Sequence, residues 1–126
     1  MDRGWHLHSA ICARALVEHG ELDEALTVAR EAVKVFSGQG FLWVFLTTVA
    51  LLALKRGHAN EAALVLGRAD AAQAWRDVAP PPATMQERQD LLHRLRKVVS
   101  DSELKRLVAV GATLTDEEAT RRALAE

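Results

Sequence analysis

A chain of 126 residues is long enough for one ordinary domain and too short for two. With 16 Lys+Arg against 17 Asp+Glu the formal charge is −1, so the chain as a whole has no attraction for phosphate. Hydrophobic residues make up 49% but aromatic ones only 5%, and there are just 7 glycines and 3 prolines. That balance excludes a disordered chain and an all-β chain with a turn about every ten residues, and favours helices rich in Ala, Leu and Val.

The single cysteine, Cys12, excludes an internal disulfide framework and any multi-cysteine zinc site. The opening Met1-Asp2-Arg3-Gly4-Trp5-His6 has no basic region leading into an apolar one, so it is no secretory signal. The most apolar stretch, Phe41 to Leu54, would reach about 21 Å as a helix, against roughly 30 Å of membrane hydrocarbon. The expectation is a soluble, cytoplasmic, all-α protein with no membrane association and no cofactor.

The spacing of apolar residues predicts about seven helices in chain order. Residues 5–19 carry Leu7, Ile11, Ala15 and Leu16; residues 22–36 carry Leu22, Ala25, Leu26, Ala29, Ala32, Val33 and Phe36. Residues 41–56 are apolar nearly all round, as in a helix covered on several sides. Residues 60–76 carry Ala62, Ala63, Leu66, Ala69 and Ala74. Beyond Pro80-Pro81-Pro82, residues 85–99 place Leu91, Leu92, Leu95, Val98 and Val99 on one side. Three S/T-x-x-E sequences, Thr84 to Glu87, Ser100 to Glu103 and Thr115 to Glu118, predict capping boxes and helix starts near 85, 101 and 116.

An internal repeat underlies the first part. Gly20-Glu21-Leu22-Asp23-Glu24-Ala25 aligns with Gly57-His58-Ala59-Asn60-Glu61-Ala62 at an offset of 37 residues. Each glycine ends an apolar helix and can take the left-handed conformation that releases the chain. Each Asp/Asn-Glu pair then falls in the first turn of the next helix, where negative charge suits the dipole.

This pattern resembles the tetratricopeptide repeat, with small residues at Ala13, Ala25 and Ala32 in one unit and at Ala50, Ala62 and Ala69 in the next. It departs from that family at Ser9 and Leu46, where an aromatic is usual, in lacking a closing proline, and in its longer offset. The resemblance implies two antiparallel hairpins of a right-handed superhelix over 1–79, closed by a Pro-linked helical cap over 80–126. It also implies a concave face. The first unit would contribute Leu7, Ala10, Arg14, Val17 and Glu18, and the second Val44, Thr47, Leu51, Leu54 and Lys55. Of these, Arg14, Glu18, Thr47 and Lys55 are the candidate polar contacts to a ligand or partner, and Leu51 and Leu54 the apolar ones. So greasy a second unit needs a cover, and the amphipathic helix 85–99 is expected to fold back over it. A second copy of the chain, giving a homodimer, is the alternative.

From Gly57 onward the chain also resembles the C-terminal end of bacterial transcriptional regulators. Those carry a STAND-class ATPase module, a winged-helix or LuxR/MalT-type output domain and a helical repeat array. The residues concerned are Leu66-Gly67-Arg68-Ala69-Asp70-Ala71-Ala72, the three prolines, and Leu107, Gly111, Leu114-Thr115-Asp116-Glu117, Ala119, Ala123 and Leu124. The resemblance implies a non-catalytic sensor or interaction domain that binds a protein, a small ligand or other domains of the same regulator. A chain that starts at Asp2-Arg3-Gly4-Trp5, partway into a helical stack, also suggests a piece of a longer protein. A stand-alone adaptor or a homodimerisation module would have the same helices.

Other constellations point less far. No Walker-type Gly-x-x-x-x-Gly-Lys, His-Glu-x-x-His or Gly-x-Ser-x-Gly is present, so no enzyme is expected. His8 and Cys12 share a helix face, but zinc needs three or four ligands, and a buried thiol beside a partly exposed imidazole is the plainer reading, with no metal. Trp5, Trp43 and Trp75 recur near the repeat interval and are expected to pack hairpins. Arg88, His93, Arg94, Arg96, Lys97, Lys105 and Arg106 are interleaved with Glu87, Asp90, Asp101 and Glu103. This surface is expected to be solvated and ion-paired, not to bind nucleic acid directly.

Overall fold

The computed structural model describes residues 12–39, 42, 45–74 and 82–125. Among these residues there are seven helices and no strand: α1 over 12–18, α2 Leu22–Gln39, α3 Leu46–Lys55, α4 Ala59–Ala74, α5 Pro82–Val98, α6 Asp101–Ala112 and α7 Asp116–Ala123. The all-α expectation holds. Trp5, Trp43, Trp75, His8, Leu7, Ala10 and Val44 lie outside the described residues, as do Pro80 and Pro81, where the hairpins were expected to join the cap.

The repeat glycines end their helices in the same way. Gly20 and Gly57 have φ of +79° and +88°. At the first, the Gly20 and Glu21 amides donate to the Val17 and Leu16 carbonyls at 3.1 and 2.9 Å. At the second, the Gly57 and His58 amides donate to Leu54 and Ala53 at 3.0 and 2.9 Å. Both are complete Schellman motifs, and they bond equivalent atoms 37 residues apart. The six small positions, Ala13, Ala25, Ala32, Ala50, Ala62 and Ala69, are all buried.

Two helix starts differ from expectation by three residues or more. The helix expected from 41 begins at Leu46; ahead of it the Phe45 amide donates to the Leu42 carbonyl at 2.9 Å. Leu42 and Phe45 are both buried, and the Phe45 ring meets Phe36 of α2 at 5.4 Å between centroids, so side-chain packing sets the entry into α3. The other difference concerns the predicted box at Thr84. Helix α5 starts at Pro82, three residues before the expected 85, and the fixed φ and missing N–H of proline suit the first helical turn. That puts Thr84 inside the helix, and Glu87 does not cap: it is buried. The Thr115–Glu118 box forms in full. At Ser100 only half of it forms: the hydroxyl accepts from the Glu103 amide at 3.3 Å, while the Glu103 carboxylate pairs with Arg106.

Helices α3 and α4 are the centre of the molecule. Leu46 to Ala53 are buried without a break, Thr47 and Thr48 included, as expected for a helix covered on several sides. Helix α4 lies against α3, α6 and α7, and α5 lies on α3, so the greasy face of the second unit is covered from within the chain. Two glycines bring α4 and α6 together. A Cβ on Gly67 would run into the Val108 carbonyl, and a Cβ on Gly111 into that of Leu64. As numbers rise along α4 they fall along α6, so the helices are antiparallel and their backbones touch twice at one crossing.

Three arginines tie the last helices to the hairpins. Arg30 Nε and Nη2 donate to the Leu124 carbonyl at 3.1 and 2.6 Å, and Arg56 Nη1 to that of Ala123 at 3.3 Å. Arg68 Nη1 donates to Leu114 at 2.8 Å. Its buried Nε has no hydrogen-bond partner but lies 3.2 Å from Asp116 Oδ1. Positive charge on carbonyls at a helix C-terminus is favourable on dipole grounds, as at the end of α7.

Candidate functional site

Four of the six candidate contact residues come close together in the fold. Arg14 and Glu18 of α1 and Leu51 and Lys55 of α3 line one wall of a cavity of about 340 Å³. The opposite wall is α5, through Gln86, Glu87, Asp90 and Arg94. Lys55 Nζ donates to the Val17 carbonyl at 3.3 Å, which fixes the end of α1 over α3. Arg14 Nε lies 3.1 Å from Glu18 Oε1, and Asp90 pairs with Arg94 at 3.0 Å. Three cationic and three carboxylate side chains line this space, so its formal charges balance.

Thr47 and Leu54 are placed elsewhere. Thr47 is buried at the α3–α4–α5 junction beside Ala69, Thr84 and Met85. Leu54 is half-buried against the core. Leu51 is only 3% exposed, so it forms a cavity wall and not an open contact surface. The half-exposed residues Arg14 and Lys55, with the exposed Glu18, are the accessible members of the expected set.

Glu87 is the residue that the sequence reading missed. It is 5% exposed, and its carboxylate accepts from Thr48 Oγ1, which lies 3.0 Å from either oxygen. Arg14 Nε stands 3.6 Å from Glu87 Oε2. Burial raises its pKa above the ordinary value, while the Thr48 hydrogen bond and Arg14 oppose the rise and Glu18 and Asp90 add to it. The signal was in the spacing: Glu87, Leu91, Leu95 and Val99 recur every four residues, and all are buried. Read as a capping residue, Glu87 is exposed; read as the next position of that stripe, it is inside.

A larger cavity, about 780 Å³, opens between α4, α5 and α6. Leu66, Leu92, Leu104 and Val108 supply its apolar surface, and Arg96 and Lys105 stand at its rim. Arg88 and Asp70 close one side with two hydrogen bonds of 2.8 Å, and these bonds hold the guanidinium proton still more firmly than usual. Much of the basic cluster over 88–106 is thereby neutralised: Arg88 by Asp70, Arg94 by Asp90 and Arg106 by Glu103.

Among the described residues no three His, Cys, Asp or Glu side chains gather as a metal site, and no helix is long and apolar enough to cross a membrane. Cys12 is a free thiol and is half-buried, not buried as expected. No protein-family model, curated protein or solved structure matches the chain.

Proposed function

We propose that the chain is a non-catalytic helical-repeat interaction domain of tetratricopeptide-like form, acting as the C-terminal sensor or scaffold part of a bacterial transcriptional regulator. The observation that carries this reading is the pair of Schellman motifs bonding equivalent atoms at the 37-residue offset. Two units whose first helices end alike, with small residues buried at matching positions, are what repetition of one hairpin would produce. Helices α5 to α7 then act as the closing element that a short array needs. The residues of the regulator resemblance serve that role: Leu107, Gly111, Ala119, Ala123 and Leu124 are all buried in the cap.

On this reading a protein partner or small ligand meets Arg14, Glu18 and Lys55 at the mouth of the α1–α3–α5 cavity, where charge of both signs is accessible. The gene sequence upstream of Met1 is the direct test. An in-frame ATPase module and DNA-binding domain support the regulator assignment. A stop codon and separate start there overturn it and leave a stand-alone adaptor. Charge reversal by Arg14→Glu and Lys55→Glu tests the surface. If regulator output or partner affinity is unchanged in both, the contact face lies elsewhere. Sedimentation over a concentration series reports on a homodimer, and a gel-shift with steep salt dependence would favour nucleic acid instead.

A further inference from the structure

The α4–α5–α6 cavity shares no lining residue with the α1–α3–α5 cavity, and its lining specifies a ligand chemistry. Its α6 wall runs from Asp101 to Val108, the residue whose carbonyl meets Gly67 at the α4–α6 crossing. Backbone contact at that crossing holds α4 and α6 as a rigid fork, and α5 lines the remaining side. At about 780 Å³ the space is within the range of small-molecule sites and well above that of a packing defect.

Its charge is simple to reckon. Arg88 and Asp70 satisfy each other in a two-bond pair. What remains is Arg96 and Lys105, both exposed and neither ion-paired among the described residues, against Asp101 at the start of α6. The rim is thus net positive by one charge over an apolar floor of Leu66, Leu92, Leu104 and Val108. A nucleic acid needs several cations tracking its phosphates, and one surplus charge beside Asp101 does not provide them. A wholly apolar ligand would leave Arg96 and Lys105 without a role. From this arrangement we infer that the α4–α5–α6 cavity binds a small amphipathic monoanion, its acyl or aryl body on the leucine floor and its carboxylate between Arg96 and Lys105.

The test is titration calorimetry on the full chain with decanoate, 2-naphthoate, decanol and acetate, with amide chemical-shift mapping of the bound site. At least one of the two amphipathic acids should bind saturably, with shifts centred on α4, α5 and α6; whichever binds tighter identifies the body as acyl or aryl. The double variant Arg96→Gln/Lys105→Gln changes only exposed side chains and should weaken that binding about tenfold. Its circular dichroism should match that of the unaltered chain. The inference is overturned if neither acid binds up to millimolar concentration, or if decanol binds as tightly as decanoate. It is equally overturned if acetate binds as well as the larger acids, if the double variant retains full affinity, or if the shifts map to the α1–α3–α5 cavity.

Discussion

Counting back by fours from Val99 through Leu95 and Leu91 arrives at Glu87, a carboxyl in a position that helix geometry reserves for the core. Its folded-state pKa lies above the ordinary 4.5. Between those two values the folded chain holds a proton that the unfolded chain has released. Stability therefore falls as pH rises through that window and levels off above it. Glu87→Gln keeps the shape and stays neutral. It should flatten that fall and raise stability at neutral pH by roughly 1 kcal/mol, measured as urea midpoints across a pH series. A less stable variant that also loses a rise of stability with pH would mean that the Arg14 attraction outweighs the burial. The glycines divide by a different physics. Gly20 and Gly57 have open space around them, so alanine there meets only the left-handed backbone, at a cost of about 1–2 kcal/mol each.

Within the helices, caps and crossings make separate predictions. Thr115 closes a full capping box, so Thr115→Ala should cost about 1 kcal/mol. Thr84 lies inside α5 and caps nothing, so Thr84→Ala should stay within about 0.5 kcal/mol of the unaltered chain. The two denaturation curves distinguish a box that forms from one that sequence alone suggests. At the α4–α6 crossing, Gly67→Ala and Gly111→Ala each push a methyl into a backbone carbonyl. Overpacking near 3 kcal/mol, less about 1 kcal/mol of helix propensity gained, leaves a net loss of roughly 2 kcal/mol. The double variant should cost less than the sum of the two, because one separation of the helices relieves both contacts.

For the molecule as a whole, the last helix is held by arginines reaching from α2 and α3. Arg30 and Arg56 bond the carbonyls of Leu124 and Ala123, residues far from them in the chain. Replacing both with methionine keeps much of their apolar length and removes the bonds. Amide exchange in α7 should then rise by roughly tenfold or more while α4 and α6 keep their protection. Exchange that rose equally in all three helices would mean that α7 and the core open as one unit.

What was legible in the amino-acid order is what neighbours along the chain decide. Helix number and order follow from apolar spacing, the releases at Gly20 and Gly57 from the five or six residues ahead of each, and the Thr115 box from a hydroxyl and a glutamate three residues apart. The cover over α3 was also foreseeable, since so apolar a helix cannot stay in water. The remaining features depend on meetings across the fold. Glu87 finds Thr48 and Arg14, Gly67 finds Val108, and Arg96 comes to share a cavity with Lys105. No local rule chooses those partners, because each contact forms only after distant helices have packed, and it is packing that gives a polar side chain its neighbours, its burial and its charge state.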